Sequence, residues 1–143
     1  MHETGWIEEK LYNRIKQHMP IPCVDLLPTH RGALLLLKRT NPPARGTWFA
    51  PGGRVLLGEK LEDAARRVLH EETGLNPKSM QKIDVMCHFW PGYHTVTTYY
   101  RAEVDGRDVI LNQEHSEYKW INQPTKDLHP YLQEMITKSK IFE

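Results

Sequence analysis

Between Gly52 and Leu75 the chain places Gly53, Glu59, Arg67, Leu69, Glu71, Glu72, Gly74 and Leu75 in one short stretch. Carboxylates hold hard divalent cations through oxygen, and guanidinium forks suit carboxylate and phosphate oxygens. Glycines at 52, 53 and 58 allow a positive φ or a close backbone approach to a ligand. Glu72 follows Val68 by one helical turn, so it lies along the edge of an apolar stripe. A carboxylate turned toward a core needs a partner, and a divalent cation would supply one.

The element that positions these groups is a helix. From Lys60 onward Leu61, Ala64, Ala65, Val68 and Leu69 recur at three- and four-residue steps, and Gly74 stands where a C-cap belongs. Ahead of it, residues 5–19 read as a helix with Trp6, Leu11, Ile15 and Met19 on one face, stopped by Pro20 and Pro22. Residues 21–28 and 33–38 read as strands joined by a turn over 29–32. Asp25 interrupts the first strand and reads equally as an acceptor for a ligand hydroxyl or as a carboxylate on a solvent face.

Arg39 opens a proline- and glycine-rich loop bordered by Arg45 and Arg54, which suits phosphate binding, although Arg45 reads as solvated. Trp48 and Phe49 read as core packing. Further strands are predicted at 81–90, 94–104 and 117–121, with a closing helix over 125–142. His88 and Tyr100 lie on the strands and His115 at the end of a polar loop, each ordinary in isolation. The pattern is α+β, with helices packed on a sheet.

At 143 residues the chain is read as one domain, 1–143. A net charge of +1 gives no bulk attraction to nucleic acid or to an anionic membrane. The run Ala33 to Leu37 is too short to span a bilayer, and the first ten residues lack a signal-peptide pattern, so a cytoplasmic protein is expected. Cys23 and Cys87 fall in strand-like stretches without metal spacing and are expected as reduced, buried thiols.

The stretch Gly53 to Leu75 resembles the Nudix box at eight positions across 23 residues, with one departure: Val68 stands where the box has a glutamate. The segments VDLL, KRTNPPARGTWFAPGGRV, CHFW, TTYY and QEHSEYKW, spread from about residue 20 to 121, resemble the GDP-mannose mannosyl hydrolase branch, which is also aliphatic at the Val68 position. The resemblance implies an α/β/α sandwich around a mixed sheet, a homodimer, and magnesium, with manganese as a substitute. It implies hydrolysis of a GDP-sugar at the anomeric carbon, with His115 as the base. The same likeness implies metal ligation by the Gly52 carbonyl and Glu72, and by Glu114 where the branch has glutamine; here the glutamine is Gln113. Glu71 is retained as in ordinary Nudix enzymes. Arg54 and Arg67 match positions that stabilise the leaving diphosphate, and Asp25, Arg39, His88 and Tyr100 match substrate-contacting positions.

Chemically this is coherent. Attack at carbon makes a metal- and arginine-bound nucleoside diphosphate the leaving group, so one base on the far side of the sugar suffices. Histidine titrates near neutrality and suits that role. A second expectation is an ordinary Nudix pyrophosphohydrolase acting on ADP-ribose, a nucleotide sugar or a nucleoside triphosphate. A third is a nucleotide-binding module without turnover.

Overall fold

Strand alternation builds a sheet that is buried on both faces. In the computed structural model, which describes residues 6–42 and 44–143, β1 (Ile21–His30) sends Val24 and Leu26 into one core cluster and Leu27 into another. β2 (Ala33–Arg39) divides in the same way, Leu35 and Leu37 against Leu34 and Leu36. That two-sided burial is why its sequence is an unbroken apolar run rather than an alternating one. Helix α2 (Leu61–Thr73) covers the first face with Ala64, Ala65, Val68 and Leu69; helix α3 (Pro130–Ser139) covers the second with Leu132, Met135 and Ile136. The result is three layers, helix on sheet on helix.

The remaining strands are β3 (Trp48–Phe49), β4 (Gly52–Arg54), β5 (Pro77–Trp90), β6 (Tyr93–Val104) and β7 (His115–Ile121), giving a seven-stranded mixed sheet. β6 runs parallel to β1, and the other pairings are antiparallel. β1 and β2 pair only beside their turn, at Thr29–Leu34 and His30–Ala33. Beyond that point β1 takes β4 as its neighbour and β2 takes β3 and β7. The two strands therefore diverge, and the functional cleft opens at that end.

Several boundaries differ from the sequence reading. The first helix, α1, is described as Glu9–His18, and Gly5 lies outside the described residues; none of its side chains is buried. β1 runs on to His30, leaving Arg31 and Gly32 as the turn, and β5 begins at Pro77 rather than 81. β7 begins at His115, so that histidine belongs to a strand and not to a loop. α3 starts only at Pro130, because His129 caps it by accepting the Tyr131 N–H at 3.1 Å, with proline at the first turn. β3 and β4 went unread because strands of two and three residues carry no periodicity. The cysteines also differ: Cys87 is exposed and Cys23 is half-buried.

Candidate active site

A cleft of about 270 Å³ gathers residues from most of the elements around the divergence of β1 and β2. β1 supplies Asp25, β2 Arg39, β4 Gly52, Gly53 and Arg54, β5 His88, and the segment before β7 Glu114. All of these are among the residues the sequence singles out.

Two glycines let the cleft close up. A Cβ on Gly52 would collide with Asp25 Oδ1, and a Cβ on Gly53 would lie 3.0 Å from Val68 Cγ2. The Gly52 N–H donates to Glu72 Oε1 at 3.0 Å, fixing that carboxylate at the end of α2. α2 itself ends on Gly74 at φ 74°, the left-handed conformation glycine adopts without a Cβ penalty.

Glu72 is 5% exposed, and the Glu114 carboxyl is near enough to act on it electrostatically. Burial first, and then this neighbouring carboxyl, push its pKa well above the usual carboxylate range. A buried carboxyl beside an exposed one favours either a proton held on the buried group or a cation near the pair. Carboxylate oxygens suit a hard divalent ion, and Gly52, whose N–H holds Glu72, lines the same cleft as Glu114. Among the described residues no three His, Cys, Asp or Glu side chains converge on one point, so a cation here would rest on two carboxylates and backbone oxygen. Glu71 is elsewhere: it is 47% exposed and accepts Arg67 Nη1 at 2.9 Å.

Arg67 acts as a clamp on the protein itself. Its Nε and Nη2 donate to the two Glu59 oxygens at 2.7 and 3.0 Å, and Nη2 also donates to the Arg54 carbonyl at 2.8 Å. Glu59 in turn accepts the Leu56 N–H at 3.0 Å, so Arg67 ties the glycine loop to α2. These arginine hydrogen bonds hold Glu59 below the usual carboxylate range, against the pull of burial. Arg67 does not line the cleft, whereas Arg54 does, its guanidinium 5.2 Å from the Tyr12 ring centre.

Asp25 resolves to the buried alternative, 7% exposed. Burial pushes its pKa up to about 7, against the opposing Arg39 charge. His88 is 2% exposed, and burial pushes it down to about 4. Their approach of 3.8 Å is too long for a hydrogen bond, and His88 is uncharged at neutral pH, so the two make no ion pair there. Asp25 Oδ2 and His88 Nε2 have no hydrogen-bond partner among the described residues.

His115 faces Arg39 across the β2–β7 pairing and is buried, with neither ring nitrogen bonded among the described residues. Burial, then Arg39, pushes it down to about 4, while Glu114 opposes. It adjoins Glu114, which lines the cleft, but does not line the cleft itself. Tyr100 also lies away from the cleft: it packs in the α2-side core and its hydroxyl donates to Glu62 at 3.1 Å. Arg45 is exposed, and Phe49 is both core and cleft wall.

The sequence reading passed over Tyr12, Lys16, Trp90, Tyr93, Thr95 and Thr97, all of which line the cleft. Period-two spacing could have placed Tyr93, Thr95 and Thr97 on one strand face. No local signal brings α1 to the cleft mouth, where Lys16 lies 4.7 Å from the Tyr93 ring centre.

This arrangement, a glycine loop clamped to a helix that ends in an acidic pair, on a mixed sheet between helices, is that of a Nudix hydrolase. The NUDIX domain model matches residues 16–135, and the chain belongs to that family. The Haloferax volcanii low-salt glycan biosynthesis protein Agl8 is 33% identical over 138 residues, 91% of this chain and 88% of its own length. The Methanocaldococcus jannaschii ADP-ribose pyrophosphatase is 44% identical over 105 residues, 72% of this chain and 62% of its own. A MutT NUDIX hydrolase from Burkholderia pseudomallei has a TM-score of 0.76 at 24% identity, over 85% of this chain and 98% of that one. Among the described residues no helix is long and apolar enough to cross a membrane.

Proposed function

We propose that this Nudix hydrolase is a magnesium-dependent enzyme acting on a nucleotide sugar, GDP-mannose or a close analogue, by attack of water at the anomeric carbon. The products are GDP and free sugar. The observation that carries this reading is Val68. It is 2% exposed in the apolar cluster beneath Gly53, so the metal-side turn of α2 offers Glu72 but no second carboxylate one turn before it. Attack at phosphorus in the ordinary Nudix manner loses a ligand and a base there, whereas attack at carbon needs neither.

Held by the Gly52 carbonyl, Glu72 and Glu114, a divalent cation would neutralise the diphosphate and make it a good leaving group. Arg39 and Arg54 line the same cleft and would take up charge on the β-phosphate as the C–O bond breaks. Arg67 is a positioning residue, acting through Glu59 and the Arg54 carbonyl. Asp25 and His88 would contact the sugar. His115, kept uncharged at neutral pH by burial, would accept the proton of the attacking water at a ring nitrogen. The reading includes a single domain and a homodimer, for which the exposed Leu11 of α1 and Met19 just after it offer apolar surface.

Hydrolysis of GDP-mannose with magnesium in ¹⁸O-water tests the reading. Labelled mannose with unlabelled GDP is expected. Label in GMP or mannose 1-phosphate would place attack at phosphorus. His115→Gln should lower kcat by about three orders of magnitude or more while the fold survives. Near-full activity in that variant would remove histidine as the base.

A second reading, a pyrophosphohydrolase acting on ADP-ribose or a related diphosphate, is favoured by the intact Arg67–Glu59–Glu71 clamp and by the 44% identical relative of that name. It is the reading the phosphorus-labelled outcome would select.

A further inference from the structure

The floor of the cleft carries more neutral hydrogen-bonding capacity than the protein uses. On β6 the two-residue period turns Thr95 and Thr97 to the α3 side, the face that also carries the Tyr99 core contact. Pairing sets Thr97 beside Cys23 of β1 and Thr95 beside His88 of β5. Asp25 stands two residues along β1 from Cys23, on the same face. Thr95 is 7% and Thr97 1% exposed, and their Oγ1 atoms lie 2.7 Å apart, hydrogen-bonded to each other.

A hydroxyl has one proton and two acceptor lone pairs. The threonine pair uses one proton between them, leaving a second donor and several lone pairs at the floor. Beside them Asp25 Oδ2 and His88 Nε2 are buried with no partner among the described residues. Valine would fill both strand positions without burying a hydroxyl. A phosphate does not suit this floor, because a carboxyl group faces it, and the cleft arginines lie on β2 and β4. A ring bearing adjacent hydroxyls both donates and accepts, and it matches a floor that does the same.

We propose that Thr95 and Thr97 are specificity-determining residues that hydrogen-bond adjacent ring hydroxyls of the substrate's non-nucleotide sugar. This deepens the nucleotide-sugar reading and rests on it for the choice of ligand, but it does not depend on which bond is cut. The hexose of a nucleotide hexose and the terminal ribose of ADP-ribose both present such hydroxyls, and the chemistry recognised is the same.

The test is equilibrium binding with calcium in place of magnesium, comparing GDP-mannose with GDP and ADP-ribose with ADP. The wild type is expected to bind at least one sugar-bearing ligand more tightly than its diphosphate. Thr97→Val and Thr95→Val should each weaken that ligand about tenfold while the diphosphate changes less than about twofold. Thr97→Ser, which keeps the hydroxyl, should restore most of the affinity. Equal binding of sugar ligand and diphosphate by the wild type, or equal weakening of both in the valine variants, overturns the proposal. So does a serine variant no better than valine. An ADP-ribose preference supports the threonine assignment while removing GDP-mannose as the substrate, so the two proposals fail separately.

Discussion

Val68 and Gly53 are fitted to each other: a Cβ on Gly53 would stand 3.0 Å from Val68 Cγ2. The box position that has lost its carboxylate is thus packed directly beneath the loop that positions the cleft. Gly53→Ala alone should cost about 1–2 kcal/mol through overpacking, and Val68→Ala alone about 2 kcal/mol through the cavity it leaves. Because one substitution makes the room the other needs, the double variant should be less destabilised than the sum. Denaturant unfolding of the four proteins measures this, and strict additivity would deny the contact.

Arg67 uses its fork on Glu59 and the Arg54 carbonyl, a geometry that lysine cannot reproduce. Arg67→Lys should cost about 2–3 kcal/mol. It should also lower kcat, because the loop carrying Arg54 loses its tie to α2. Glu59→Gln should remove part of the acid sensitivity. The depressed Glu59 pKa contributes stability present above its ordinary value of 4.5 and lost as pH falls through the folded value. Thermal melts below about pH 5 should show wild type and Glu59→Gln converging.

Asp25 has the opposite sign. Its pKa rises from an ordinary 3.8 to about 7, so the folded state binds the proton more tightly than the unfolded chain. The resulting stability is complete below the unfolded value and is lost as pH rises through the folded one. Asp25→Asn cannot ionise and should therefore gain on the wild type by up to about 4 kcal/mol between acid and mildly alkaline pH. Activity on a sugar-bearing substrate should fall over the same range. A stability difference that does not change with pH would show that Asp25 ionises freely.

Glu72 couples stability to the metal. Glu72→Gln removes a buried carboxyl whose charged form is disfavoured by burial and by Glu114. The metal-free variant should melt at or above the wild-type temperature at neutral pH. Magnesium should raise the wild-type Tm, by the usual mass-action linkage, and leave the variant unmoved. Equal magnesium shifts in both proteins would remove Glu72 as a ligand.

Much of the α2 side was legible in the sequence because its signals are local. The three- and four-residue apolar step, the Gly74 cap and the spacing from Glu59 to Glu72 all act within one helix and its preceding loop. The two-faced core could be read from the apolar run of β2 and the β-branched run of β6. Partners that meet across the sheet were not legible. Glu114 comes near Glu72, and Thr97 beside Cys23, only through pairing of segments far apart in the chain, and a one-residue slip would reverse the faces of a strand. Tyr100 illustrates this. Its odd spacing from Thr97 places the two on opposite faces, but which face becomes cleft and which becomes core is decided by the parallel pairing of β6 with β1 and by where α2 and α3 pack. The sequence by itself determined a clamped glycine loop, an acidic helix end and a sheet to carry them. Only the tertiary structure decided which strand residues share the cleft, because that depends on non-local pairing that no short-range period encodes.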